Sequence, residues 1–393
     1  MPLAPMAGMA NPSPAVDTPL RDRLAKLAAF EPQGAPVLSL YLNLTPDDRG
    51  RDNYDTFLRK AFAEHVKPFA EHSAERASLE RDVERVQQYL ADEVHRSSNS
   101  LALFASAGTG EFFEAVQLDA PIDEHWLVIG AVPHLYPLAR LLDQYPRYAA
   151  VLLDRTRARI LVFALGAVER REQVTGVKTR RSSMGGWSQA RYQRRAQNLH
   201  LHHVKEVADT LDRIVREDDI RQIIVAGDEV VVPLLRDRLP QHLVDKLVDV
   251  VRLDRNAAED EIVETTLDAL RQKDAEGDAA RVQEAINAWQ GGGLGAVGPE
   301  SVLNALQLGQ VDELLITAAP HVLKTVQTLP PDAAPNPIAV ETSGTAAADT
   351  SRLRLADELV TRAEQTDASV RIIEESALLE PYGGVAALLR FRV

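Results

Sequence analysis

The sequence predicts three domains of the α/β and α+β classes, on three observations. The chain has 393 residues, whereas single domains cluster near about 100 to 150 residues. Strand-like and helix-like patterns alternate along most of it, which predicts layered sheets and helices. Around Tyr145 and Pro146 the spacing changes to three strands in close succession, a meander that opens a new unit. The expected division is a disordered tail over 1–16, an N-terminal α/β domain over 17–145, a mixed-sheet middle domain over 146–255 and a C-terminal α/β sandwich over 256–393.

In order, a short helical segment precedes a strand over Pro36–Leu44, whose apolar residues mix alternation with a buried run. Leu79, Val83, Val86, Leu90 and Val94 recur every three or four residues, predicting a helix over Ala77–His95 before a strand at Ser100–Ala105. The meander is expected at Ala149–Leu153, Ala158–Leu165 and Val168–Val174, with Asp154 opening its first turn. A glycine-containing basic segment and a long helix reaching Glu217 follow, then strands at Arg221–Ala226 and Leu247–Leu253. Ala257–Trp289 reads as a charged helix broken near Gly277. The last unit reads helix 300–307, strand 312–317, helix 321–328, helix 351–365, strand 369–373 and closing strand 386–392.

Composition excludes whole classes of chemistry. Hydrophobic residues at 45% and charged residues at 26% are those of a globular protein. The most apolar stretch, Trp126–Leu142, contains His134, two prolines and Arg140, and falls short of the roughly 20 apolar residues a bilayer demands. Met1–Val16 lacks the basic start and apolar run of a signal peptide, so a cytoplasmic location and no membrane partner are expected. With no cysteine there is no disulfide, thiolate zinc site, iron–sulfur cluster or thiol nucleophile. The glycines at 293, 295 and 298 have dinucleotide-loop spacing but follow a helix and not a strand, so no cofactor is expected. His200, His202 and His203 lack a carboxylate partner and sit among basic residues, so no metal is expected either. Asp154 with Asp228 and Glu229 could imitate a metal nuclease, although an aspartate opening a turn is the commoner explanation.

Charge is distributed unevenly. The chain carries −14 overall, yet Gln173–Lys205 has no acidic residue and holds Lys178, Arg180, Arg181, Arg191, Arg194, Arg195 and Lys205. One basic element on an acidic body suits contact with a phosphate-rich partner, and its plain alternative is a solvated helix face. Gly185 and Gly186 within this stretch free the backbone for close approach to another molecule. The helix that follows has an apolar stripe in its distal half, at Val204, Val207, Leu211 and Ile214, and only Ala190 and Tyr192 near its start. Its first two turns are therefore expected to project from the domain.

At this segment the sequence resembles the archaeal and eukaryotic class-one release factor superfamily, including Pelota and the bacterial release-factor-like branch. Gly186-Trp187-Ser188-Gln189 matches the Gly-x-x-Gln form of that family's loop, and Arg191, Arg194 and Arg195 fall where its basic residues follow. Val297–Leu306, Val311–Ile316 and Tyr382–Phe391 are similar to the family's third domain. The resemblance implies an RNase H-like middle domain whose glycine loop and basic helix enter the large ribosomal subunit and cleave peptidyl-tRNA. Gln189 with Gly185 and Gly186 would act there, and Lys178, Arg180, Arg181, Arg191, Arg194, Arg195 and Lys205 would bind ribosomal RNA. It also implies a translational GTPase as partner of the C-terminal domain. The stop-codon readers' Asn-Ile-Lys-Ser loop is replaced by His72-Ser73-Ala74-Glu75-Arg76, so release without stop-codon decoding is expected. A tRNA acceptor-end nuclease and a non-catalytic ribosome-binding hibernation factor are the alternatives within the same resemblance.

Overall fold

The computed structural model describes residues 20–46, 54–67, 69–95, 97–176, 189–227, 230–254, 256–326, 339–343 and 349–392, with the backbone alone over 189–197. The expected tail over 1–16 lies outside these residues. The first elements are α1 (Leu20–Ala28), β1 (Val37–Asn43), α2 (Tyr54–His65), α3 (Ala74–Asp92), β2 (Ser100–Ser106), β3 (Phe112–Leu118), β4 (Trp126–Gly130) and α4 (Tyr136–Gln144). Next come β5 (Tyr148–Leu153), β6 (Arg157–Ala164), β7 (Ala167–Thr175), α5 (Gln189–Glu217), β8 (Gln222–Gly227), α6 (Val231–Arg236), α7 (Gln241–Val244) and β9 (Leu247–Val251). The chain closes with α8 (Glu259–Gln290), β10 (Gly295–Val297), α9 (Pro299–Gln307), β11 (Val311–Thr317), β12 (Ala339–Thr342), α10 (Thr350–Gln365), β13 (Ser369–Ile373) and β14 (Val385–Leu389).

Three sheets organise these elements. The first, in order β12-β4-β1-β2-β3, is antiparallel throughout. Residues of a strand alternate between faces, so Leu38, Leu40 and Leu42 meet Leu58 and Phe62 of α2 and Leu79 and Val86 of α3. Tyr41 and Phe104 point the other way, into a core shared with α1, α4, α9 and α10. The second sheet has the order β7-β6-β5-β8-β9. Its β5, β6 and β7 form the antiparallel meander, and β8 and β9 run parallel to β5. A parallel neighbour needs a crossover, and α5 provides it between β7 and β8, burying Val204, Val207, Leu211 and Ile214 on one face of the sheet. The third sheet, β10-β14-β11-β13, pairs β11 and β13 in parallel and packs against α9 and α10.

Two elements run between sheets. β12 adds to the free edge of β4, with Ala339 opposite Ile129 and Glu341 opposite Leu127. Lys60 and His65 of α2 hold Glu341 at 2.8 and 3.0 Å. α8 places Ile262, Leu267 and Leu270 against the second sheet and Val282, Ala285 and Ile286 against the third. A buried carboxylate strengthens the seam between the outer sheets. Asp357 of α10 accepts from the Leu135 and Tyr136 N–H groups at 3.0 Å each, and its other oxygen lies 2.5 Å from His134 Nδ1.

Several local expectations are corrected. The N-terminal unit holds more than the strands expected at 36–44 and 100–105, because β3 and β4 complete an antiparallel sheet and α2 joins its helical layer. The helix expected over 321–328 is a single 3-10 turn, Pro320–Val322. Lys324 N–H donates instead to Gly383 O at 3.1 Å, which draws the backbone along the Gly383–Gly384 corner. The break expected near Gly277 is absent and α8 is continuous. Among the described residues no helix is long and apolar enough to cross a membrane.

Candidate nucleic-acid interface

The meander and the long helix fix the two ends of the glycine-containing segment. After β7, Gly176 N–H donates to Thr156 O at 2.8 Å. A Cβ on Gly176 would lie 3.0 Å from the His203 ring, so the strand exit packs closely against α5. Lys178, Arg180, Arg181, Gly185 and Gly186 lie outside the described residues. The chain returns at Gln189, the first residue of α5. That position leaves its backbone N–H among the four without a partner inside the helix, at the positive end of the helix dipole.

Buried contacts along the described part of α5 begin at His203 and Val204 and continue through Val207, Ala208, Leu211, Ile214 and Val215. At 1.5 Å per residue, Gln189 stands about 21 Å along the axis from His203. Arg191, Arg194 and Arg195 fall in the intervening turns, their side chains beyond description, and Lys205 is exposed. The arginines of neighbouring β7 are differently placed. Arg170 pairs with Glu217 and Asp218 at 2.9 and 3.0 Å, and Arg171 pairs with Glu259 at 2.6 Å. These strand arginines are neutralised by the protein itself.

The histidines do not converge. His203 is buried with neither ring nitrogen hydrogen-bonded, whereas His202 is exposed with Nδ1 3.5 Å from Glu206. Among the described residues the one group of three ligand-type side chains in close reach is Glu64, His65 and Glu341. Asp154 serves its turn, its Oδ1 accepting from the Thr156 and Arg157 N–H groups at 2.6 and 2.7 Å. Asp228 and Glu229 lie outside the described residues. A feature not anticipated is an open cleft of about 670 Å³ lined by Arg155, Gly227, Arg252, Asp254 and Glu261, beyond the C-terminal ends of β5, β8 and β9. Clefts at that end of parallel strands are common ligand positions. The sequence signal was Gly227, whose Cβ would fall 2.0 Å from Leu153 O.

Comparison with known proteins gives a consistent likeness. Residues 133–271 match the family described as bacterial archaeo-eukaryotic release factor family 10, and residues 277–393 match eRF1 domain 3. The chain is 21% identical to peptide chain release factor subunit 1 of Archaeoglobus fulgidus, covering 94% of this chain and 96% of that protein. It is 22% identical to the Thermococcus kodakarensis protein of the same name, covering 95% and 97%. Among solved structures it is similar to an archaeal translation termination factor, aRF1 (18% identity, TM-score 0.26, 94% of this chain and 98% of that one). It is also similar to S. cerevisiae Dom34, a translation termination-like factor (11% identity, TM-score 0.42, 75% and 79%).

Proposed function

From the premise that this chain belongs to the archaeal and eukaryotic class-one release factor superfamily, we propose that it acts on the ribosome as a rescue-type release factor. In this reading it hydrolyses the ester of peptidyl-tRNA without reading a stop codon. The observation that carries it is the placement of the Gly-x-x-Gln glutamine as the first residue of a 29-residue helix in which, among the residues whose side chains are described, full burial begins at His203. Such a helix delivers its head to something outside the protein. The acid-free stretch around that head, from Gln173 to Lys205, favours a phosphate-rich target.

The chemistry follows from what an amide can do. Gln189 neither gains nor loses a proton near neutral pH, so it works as an orienting group. Its side chain positions the attacking water, while a backbone N–H at the helix start supplies a donor to the developing oxyanion. Gly185 and Gly186 allow the backbone to approach the acceptor end closely. Lys178, Arg180, Arg181, Arg191, Arg194, Arg195 and Lys205 hold ribosomal RNA by phosphate contacts, which position without reading sequence. The β7-β6-β5-β8-β9 order supports an RNase H-like middle domain over 146–255, between an N-terminal domain over 17–145 and a C-terminal domain from 256 that shares α8 with it. The C-terminal domain would receive a translational GTPase, and the whole factor works in the cytoplasm.

The test is single-turnover peptide release from ribosomes carrying peptidyl-tRNA, with stop, sense or empty A sites, alongside a pelleting assay. Release in all three states is expected. Release confined to stop codons would refute the non-decoding part, and binding without release would refute hydrolysis in favour of a hibernation-type role. The tRNA 3′ end is expected intact; a shortened end would convert the activity to acceptor-end cleavage.

A further inference from the structure

The second sheet carries its open cleft at the end where its three parallel strands finish. β5 has antiparallel β6 on one side and parallel β8 on the other, so the chain leaves β5 in one direction and resumes, after α5, on the opposite side. Loops diverge at such a switch point and open a crevice beyond the strand ends. At about 670 Å³ the cleft has the size of a small-ligand site, roughly 300 to 1,000 Å³. Its rim is tied down by hydrogen bonds. Asp154 Oδ1 closes the turn after β5 by accepting from the Thr156 and Arg157 N–H groups. After β9, Asp254 Oδ1 accepts from Asn256 N–H at 2.7 Å, and Arg159 donates to Ala257 O at 3.0 Å just before α8. Gly227 lies so close to Leu153 O that β8 ends in the cleft without a side chain.

The lining combines three kinds of group. Arg155 and Arg252 bring cations, Asp254 and Glu261 bring carboxylates, and Val230 and Leu253 bring an apolar wall. Val230 is 54% exposed, the most open of the large hydrophobic side chains among the described residues. We propose that this cleft binds a nucleoside monophosphate. A guanidinium matches phosphate oxygens with paired N–H donors. Carboxylates accept from ribose hydroxyls and from the amino groups of bases. The apolar wall takes the face of the base. A purely anionic ligand or a purely apolar one would use only part of this lining. Charge selects among phosphates: the two arginines and two carboxylates cancel, on a chain whose net charge is −14. One phosphate therefore finds two guanidiniums, whereas a triphosphate or an RNA strand adds negative charge that the cleft does not compensate.

None of these residues belongs to the machinery proposed for peptide release, so the test uses the full chain without ribosomes, and absence of release would leave this site standing. Calorimetric titration with AMP, GMP, CMP and UMP in turn should saturate one site with at least one of them. That nucleotide should bind at least tenfold more tightly than inorganic phosphate or its own nucleoside. Arg155→Ala and Arg252→Ala should each weaken it about tenfold, as loss of a hydrogen bond to a charged group does. Asp254→Asn/Glu261→Gln should weaken the nucleotide while tightening inorganic phosphate, because removing two negative charges favours a bare anion. All four side chains belong to exposed residues, so the variants should keep the urea midpoint of the unmodified chain. No saturation by any of the four at about 1 mM overturns the proposal. So does inorganic phosphate binding as tightly as the nucleotide, which would leave only an anion patch, or nucleotide binding indifferent to the arginine variants. A five-residue RNA that binds more tightly than its monophosphate would overturn the single-nucleotide reading in favour of a strand.

Discussion

The two longest helices solve opposite problems. α5, with 29 residues, buries an apolar stripe from His203 onward and holds acid-free basic sequence at its head. α8, with 32 residues, is anchored at both ends and bare in the middle. A helix fixed at one end can present its other end to a partner. A helix fixed at both ends ties together the two cores that bury them. Length alone does not separate these uses; the position of the buried residues along the axis does.

The comparison breaks most easily at the anchor of α5. Leu211 is fully buried between the helix and the second sheet, so Leu211→Ala should cost about 2 to 5 kcal/mol, read by urea unfolding. A loss well under that would mean the stripe does not anchor the helix. At the head of the same helix, Gln189→Ala should slow peptide release by about 100-fold, roughly 2.7 kcal/mol, with ribosome pelleting unchanged. A parallel fall in both would assign Gln189 to placement and not to the transition state.

The arginines sharpen the contrast between helix head and strand. Replacing Arg191, Arg194 and Arg195 together with alanine should flatten the salt dependence of ribosome binding by about 2 to 3 log units per log unit of salt. The same test on Arg170 and Arg171, paired within the protein, should leave the slope unchanged. Equal slopes for all variants would make the basic stretch a solvated face. A pH-dependent effect lies beside α8. Burial raises the Asp143 carboxyl from 3.8 to about 7, opposed by the Ile372 N–H and Arg371. A carboxyl raised in the folded state contributes stability that is complete at low pH and is lost as pH rises through about 7. Asp143→Asn, which can still accept from Ile372, should therefore gain stability relative to the unmodified chain between pH 5 and pH 8, measured by urea midpoint; a difference independent of pH would contradict the raised carboxyl.

Much of this molecule was determined locally and could be read from its residues. The stripe Val204, Val207, Leu211 and Ile214 reports a half-buried helix because neighbours three and four apart share a face. The meander β5-β6-β7 is legible because its partners lie close in sequence and Asp154 closes the first turn. The candidate glutamine was legible for a similar reason, since Gly-x-x-Gln and the arginines after it are contiguous. Tertiary structure alone decided the rest. Ala339–Thr342 becomes β12 only because β4, more than two hundred residues earlier, offers a free edge, and a four-residue strand has no periodicity of its own. Phe112–Leu118 stays mostly half-buried and lacks a clear alternation, so its strand depends on pairing with β2. His203 looked like a third member of a polar trio until packing turned it against Gly176 and left its neighbour His202 in solvent. Gly277 read as a helix break because intrinsic propensity disfavours glycine by only about 1 kcal/mol, an amount that anchoring at both ends of α8 overrides.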